Sequence, residues 1–450
     1  MDFDDILDRI KIFGVSINDL LCALDSDDDD DEETPQLGPI LTEFDAITGD
    51  SPQEIAGKQV MFARGQIRDN ALPFFKELRD HRPITRAGPI WLVSRFDDVE
   101  EILHRETVFS VKSYLPRMMG VIGPFVLSQD ITPQYDRDIS IMRLVVKRED
   151  LERVRAITSR AAGEIVANMQ MTDGPHNVVQ ELTRIVPLRL AAEYYGFTGV
   201  PDDQLKGWAR ACFFEFFVNL DNNPDIRAAA VAAGAQMRPH LEGLIADAKA
   251  RASGDTVLDR LVALQGAGPT EAPSDEDIIR TMMGLLVGMV ETTSQAAIQA
   301  LLVLAKKEQL VPAVTAARTG DAAGMEALIW EALRYRPVNP LVVRITNENY
   351  TLGAGQPHET TIPAGSMVFA LTWSAMHDRR KLGNPMEFEP GRPTDQYLHF
   401  ATGHHACFGR YISQVQITEI LMALLRADIQ VAGAPVYAGP FPEELPLMVS

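Results

Sequence analysis

Ser274 to Lys307 reads as a single helix, and it constrains the fold more than any other stretch of the 450-residue chain. Thirty-four residues at about 1.5 Å each span roughly 50 Å, the width of a whole domain. Ser274-Asp275-Glu276-Asp277 is a capping-box-like start. The middle carries Gly284 and then Gly288-Met289-Val290-Glu291-Thr292-Thr293. Each mid-helix glycine costs about 1 kcal/mol relative to alanine, and close approach of a planar ligand would supply a reason. Thr292 follows Gly288 by four residues, so its hydroxyl can reach that carbonyl and loosen the helix locally. Glu291 in an apolar centre is costly unless solvated or paired. An acid beside an alcohol can relay protons to a reduced oxygen species. A glycine-bearing core helix with a polar start is the plainer reading.

A second stretch carries metal chemistry. His399-Phe400-Ala401-Thr402-Gly403-His404-His405-Ala406-Cys407-Phe408-Gly409-Arg410 runs into a helical pattern from Arg410 to Asp428. A cysteine at a helix N-terminus sits at the positive end of the macrodipole, which favours the thiolate. Thiolates bind metals, and an iron-thiolate bond is one way to hold haem. Gly403 and Gly409 would let the backbone approach something flat. A buried free cysteine beside a glycine turn is one alternative. A zinc site from His399, His404, His405 and Cys407 is another, although the spacing matches neither a finger nor a catalytic zinc helix.

Between these stretches lie Glu331-Ala332-Leu333-Arg334, Arg336-Pro337 with Pro340 and Arg344, Thr361-Ile362-Pro363-Ala364-Gly365, and Asn384-Pro385 with Phe388, Pro390, Arg392 and Pro393. Phe400-x-x-Gly403-x-His405-x-Cys407-x-Gly409 and these ordered motifs resemble the cytochrome P-450 haem-thiolate monooxygenases, from about residue 50 onward. The resemblance implies a mainly α fold with a minor β part, with haem between a long distal helix and a proximal cysteine-ligand loop. It implies heme b (iron protoporphyrin IX) as cofactor, Cys407 as axial iron ligand, and Phe400, Gly403 and Gly409 shaping the ligand loop. Arg344 and His405 resemble propionate contacts, and Glu331, Arg334 and Arg392 a buried triad behind the haem. Gly288 takes the first small position of the distal pattern, Met289 stands where a second glycine is usual, and Glu291 and Thr292 take the proton-relay positions. The early helix departs from the family pattern: Asp138 falls where a histidine would be, and Arg143, one place late, is the weakest cofactor contact.

The formal charge of −21 argues against nucleic acid, whose phosphates are bound by clustered Lys and Arg, and against an anionic membrane surface. Three dispersed cysteines, Cys22, Cys212 and Cys407, suggest no disulfide framework and fit a reducing, cytoplasmic setting. The acidic start Met1-Asp2-Phe3-Asp4-Asp5 lacks the positive region of a secretory signal. No membrane span is expected: the best look-alike, Thr281 to Val290, is short and bounded by Arg280 and Glu291. Residues 1–45 read as an acidic extension, with an amphipathic segment at Ile6–Leu24 and the run Asp25–Glu33 as a solvated tether. Residues 46–450 read as the monooxygenase domain. Helices are expected at Pro73–His81, Phe96–Arg105, Leu151–Met169, Asn177–Tyr195 with a kink at Pro187, from Pro201, Asp225–Ala252, Thr256–Leu264 and Ala322–Tyr335, with strands at 88–94, 341–345, 350–352, 360–362 and 367–371.

The function implied is a monooxygenase that activates O2 and oxidises a small lipophilic substrate. No flavin or iron-sulfur module is visible, so a separate ferredoxin or flavodoxin with a reductase would supply electrons. Arg379, Arg380, Lys381 and Arg410 would dock it, or would be an ordinary solvated face. The pocket would be lined by Ser113–Leu127, Phe213–Phe217, Met283–Thr292 and Val338–Val343. The four phenylalanines at 213, 214, 216 and 217 read as core or as a greasy lid. A peroxide-driven peroxygenase or a haem-based binding or sensing protein on the same fold is the alternative.

Overall fold

The Ser274 hydroxyl accepts from the Asp277 N–H while the Asp277 carboxylate accepts from the Ser274 N–H, and this capping box starts a helix over Asp275–Lys306. In the computed structural model, which describes residues 37–450 except 220, 221, 252 and 267–271, that helix is the shared wall of the core. Ile278–Val290 pack into one apolar cluster and Ala296–Leu304 into another. It is the only described helix long and apolar enough to cross a membrane, and 83% of its apolar window is buried inside the fold.

Five helices build the site: α1 (Pro133–Val145), α2 (Asp202–Phe213), α3 (Asp275–Lys306), α4 (Ala322–Tyr335) and α5 (Arg410–Arg426). The principal sheet has five strands, β1 (Ile84–Ala87), β2 (Ile90–Val93), β3 (Phe109–Ser110), β4 (Val342–Thr346) and β5 (Met367–Ala370), in the order β1-β2-β5-β4-β3. Only the β2–β5 pair is parallel; the register Arg344↔Val368 fixes which face of β4 presents the arginine. Three small sheets complete a mainly helical chain.

The expected helices form with shifts of a few residues at their ends. The exception is Asn177–Tyr195, which is a π-turn at Val179–Thr183, a short α-helix at Ile185–Leu190 and a second π-turn at Ala191–Tyr195. Pro187 has no N–H to donate to the preceding turn, so the ladder reorganises around it. The phenylalanine run divides by face: Phe213 and Phe216 are buried, while Phe214 and Phe217 are half-buried, with Phe214–Val218 another π-turn. Helices at Pro52–Asp69 and Leu310–Thr319 and the strands after Asp428 were not expected.

The amphipathic segment at Ile6–Leu24, Cys22 and the acidic run lie outside the described residues. The folded body begins before residue 46. Pro39–Asp45 is a helix, Leu41 and Phe44 are buried in the core, and Asp45 pairs with Arg82. Burying two large apolar side chains accounts for this earlier start.

Candidate active site

Cys407 closes a tight loop. Its N–H donates to the Phe400 carbonyl (2.8 Å), and the Ala406 N–H to the Gly403 carbonyl (3.2 Å). Ala401 and Gly403 take left-handed φ of 53° and 78°. A Cβ on Gly403 would stand 2.2 Å from the Leu103 carbonyl oxygen. Glycine is therefore required there by the helix beneath the loop, and not by the approach of a ligand. Gly409 has φ −81°, and a Cβ there would make only an ordinary contact, 3.9 Å from the Ser413 hydroxyl. The loop is pinned to α4: the His399 Nε2–H donates to the Trp330 carbonyl (3.0 Å), and Phe400 meets the Trp330 ring edge-on at 5.5 Å.

The Cys407 sulfur lies deep inside the molecule yet is exposed, because it faces a cavity. Burial pushes its thiol pKa up, against the Gly409 N–H and the Arg410 charge, which pull it down. In the protein alone burial prevails over the helix-end effect. A bound cation would reverse that balance.

The cavity, about 3180 Å³ in all, is lined by Cys407 and Phe400 on one side and by Gly288, Met289 and Thr292 of α3 on the other. It extends to a surface groove near Gly38 and Lys76, which takes it well beyond the roughly 300–1,000 Å³ of ordinary ligand pockets. A Cβ on Gly288 would meet nothing within 4 Å, so α3 is open to the cavity there. Gly284, one turn earlier, is different: a Cβ would stand 2.6 Å from the Phe125 ring. A packed phenylalanine explains that glycine.

Arg344 is 2% exposed, forms no ion pair among the described residues, and has one hydrogen bond, from Nη1 to the Val343 carbonyl (3.0 Å). Its Nε is buried and unpartnered, and burial lowers its pKa. A buried guanidinium without a counter-ion is costly; an anionic carboxylate edge is what this position fits. His405 Nε2 faces the Gln129 carbonyl at 2.8 Å. A carbonyl only accepts, so Nε2 carries the proton. Nδ1 is buried and unpartnered, and burial holds the ring's pKa below its ordinary value. A carboxylate against Nδ1 would require the imidazolium. Thiol, open helix face, uncompensated cation and imidazole together fit haem. Among the described residues no three His, Cys, Asp or Glu side chains converge on a metal position.

The expected relay pair is split. Thr292 lines the cavity, and its hydroxyl donates to the Gly288 carbonyl at 2.6 Å. Glu291 is fully buried and does not line the cavity. Its Oε2 accepts from Arg184 (3.0 Å) and Arg210 (3.3 Å), which also hold Glu443 at 2.9 and 2.6 Å. Consecutive residues point about 100° apart on a helix, so the acid and the alcohol occupy different faces. Burial would raise the Glu443 carboxyl, but the two arginines prevail and hold it below its ordinary value.

Arg143 is exposed and does not line the cavity. The face of α1 turned to the cavity carries Tyr135, Ile139 and Met142 instead. Asp138 is buried against Arg137 (3.0 Å) and Arg280 (3.2 Å). Tyr135 and the charge partners of Glu291 were missed from sequence, where no periodicity marks them. Behind the loop, Glu331 and Arg334 form a fully buried bidentate pair (2.6 and 3.0 Å), joined by Arg392 (3.3 Å) and the Tyr397 hydroxyl (3.1 Å).

Comparison with known proteins decides the family. The Cytochrome P-450 family model matches residues 211–427, a span that holds α3, the Glu331–Arg334 pair and the cysteine loop. The chain belongs to the cytochrome P-450 family. It is 27% identical over 365 residues to mycinamicin IV hydroxylase/epoxidase of Micromonospora griseorubida, covering 78% of this chain and 86% of that one. It is 26% identical over 375 residues to the cyclomarin C epoxidase of Salinispora arenicola, covering 81% and 90%. The fold matches a cytochrome P-450 structure from Chondromyces apiculatus with a TM-score of 0.72 at 21% identity, covering 86% of this chain and 96% of that one. The protein is thus a P-450 monooxygenase, an oxidoreductase whose family uses haem, O2 and a redox partner.

Proposed function

We propose that this P-450 oxidises a lipophilic substrate held between α3 and the loop 113–127, with Cys407 as the iron ligand. The observation that carries the reading is the alignment of three features around one cavity: the Cys407 thiol, the open face of α3 at Gly288 and Thr292, and the uncompensated Arg344. Haem, when bound, supplies reductive activation of dioxygen and transfer of one oxygen atom to the substrate. Arg344 and protonated His405 would neutralise its carboxylates. Phe400 and the Glu331–Arg334–Arg392 knot keep the ligand loop in place. Thr292 Oγ1 holds its proton on the Gly288 carbonyl and offers its lone pairs to the cavity, so it can accept a hydrogen bond from water there, and it would relay a proton by turning its O–H off that carbonyl as it takes one from the water. Glu291 would join this relay only by leaving its arginines.

Electrons would come from a cytoplasmic ferredoxin or flavodoxin with a reductase. Of the four basic residues expected to dock it, Arg380 and Lys381 are engaged by Asp378 (3.0 Å) and Asp395 (3.2 Å). Arg410 lies 4.5 Å over the Tyr411 ring, with Arg148 3.9 Å over the same ring. That pair, beside the Cys407 loop, is the better candidate for an acidic carrier. The acid–alcohol pair expected to favour the reductive reading over a peroxide-driven one is divided, because Glu291 does not line the cavity, and turnover is what separates the two.

The test is spectroscopic. The purified protein should be red, and its reduced carbon monoxide complex should show the red-shifted Soret band of thiolate ligation. C407S should lose that band and C212S should keep it. Product formation with a ferredoxin and reductase should exceed that with peroxide alone; equal rates would overturn the reductive reading.

A further inference from the structure

The roof of the cavity contains one charge. Among the described lining residues from 113–127, 213–218, 284–296 and 338–343, Arg117 alone is charged. It sits on the short helix Leu115–Met119, which Arg227 clamps by donating to the Pro116 carbonyl at 3.3 Å. The guanidinium is half-buried and forms no ion pair among the described residues. Its one hydrogen bond, Nη1 to the Phe216 carbonyl, is long at 3.4 Å. A carboxylate from the same wall does not serve it. Glu215 is buried and committed to Asn219 (2.6 Å) and Arg227 (3.5 Å). Among the described residues no carboxylate pairs with Arg117. Around it are Tyr114, Phe216 and Phe217, with the Tyr114 and Phe217 rings 6.4 Å apart.

We propose that Arg117 selects the substrate's end group: the natural substrate is a lipophilic acid whose carboxylate pairs with Arg117 while its apolar body extends toward Thr292. A guanidinium presents a planar fork that matches a carboxylate in two hydrogen bonds. In a half-desolvated, otherwise apolar roof such a pair discriminates strongly against a neutral end group. This inference rests on the haem-thiolate monooxygenase reading of the same cavity.

The experiment uses the full-length ferric holoenzyme. Substrate-binding difference spectra are titrated with three acids, one straight-chain, one diterpenoid and one aryl-alkyl, each alongside its methyl ester. For at least one scaffold the acid should bind about tenfold or more tightly than the ester. R117Q should bring the acid down to the level of the ester while leaving ester affinity unchanged, and R117K should retain part of the preference. If no scaffold favours the acid, or if R117Q keeps the preference, the assignment is overturned. Imidazole, which ligates ferric iron directly, separates the two readings. If it shifts the Soret band normally in wild type and R117Q, a missing acid preference counts against Arg117 alone. If it shifts neither, the haem reading has failed.

Discussion

Gly284 and Gly288 stand one turn apart on α3 and differ in what a side chain there would meet. At Gly284 a methyl group would meet the Phe125 ring, and at Gly288 it would meet open space. G284A should therefore destabilise the protein by about 1 kcal/mol or more through overpacking. G288A should stabilise the polypeptide by about 0.5–1 kcal/mol, because the helix gains alanine for glycine, while weakening binding of bulky ligands in the cavity. Urea denaturation followed by circular dichroism decides both; a destabilised G288A would contradict the open face. The next turn offers a similar contrast. T292A should leave the urea midpoint nearly unchanged but cut coupled turnover about a hundredfold, with oxygen consumed and little product formed. E291Q should cost about 3 kcal/mol of stability, the low end for a broken buried pair, because Arg184 keeps Glu443.

At the scale of elements, what the sequence disclosed was local. The capping box at Ser274, the reach of Thr292 to Gly288, and the Glu331–Arg334 spacing are contacts within three or four residues, and all form. Arg392, 61 residues from Glu331, was assigned to the knot only through the resemblance of its motif to a known family. Arg184, Arg210 and Glu443 lie 107, 81 and, between Arg184 and Glu443, 259 residues from their partners, and no period or spacing links them. Glu291 was for that reason assigned to the cavity, although helix geometry turns it away. The two charge knots also set an acid limit. Burial raises the carboxyls of Glu331 and Glu443, but their arginines outweigh it and hold both below the ordinary 4.5. A depressed folded-state pKa gives stability that is complete above 4.5 and lost as pH falls below it. The urea midpoint should stay flat near neutrality and drop below about pH 5, and E443Q, already weaker at neutral pH, should show a shallower drop.

For the whole molecule, the boundary between extension and body is the part that composition misplaced. The density of acidic residues drew the line at residue 45, but Leu41 and Phe44 are core residues. Residues 1–36 and residues 1–45 can each be deleted and the melting temperatures of the two holoproteins compared. Deleting 1–45 should cost about 3–6 kcal/mol, from two large buried side chains at about 1.5–3 kcal/mol each. Equal melting temperatures for the two truncations would place the boundary back at residue 45.

The four-charge cluster under α3 has a consequence for biosynthesis. Arg184, Arg210 and Glu291 leave the ribosome before Glu443, so from the synthesis of Glu291 until that of Glu443 the site holds two positive charges and one negative. Its charges balance only when the strand Phe441–Glu444 has docked. The distal wall of the cavity should therefore stay open to solvent in nascent chains and lock late. Cofactor would then be captured by a nearly complete polypeptide whose distal helix is the last part to settle.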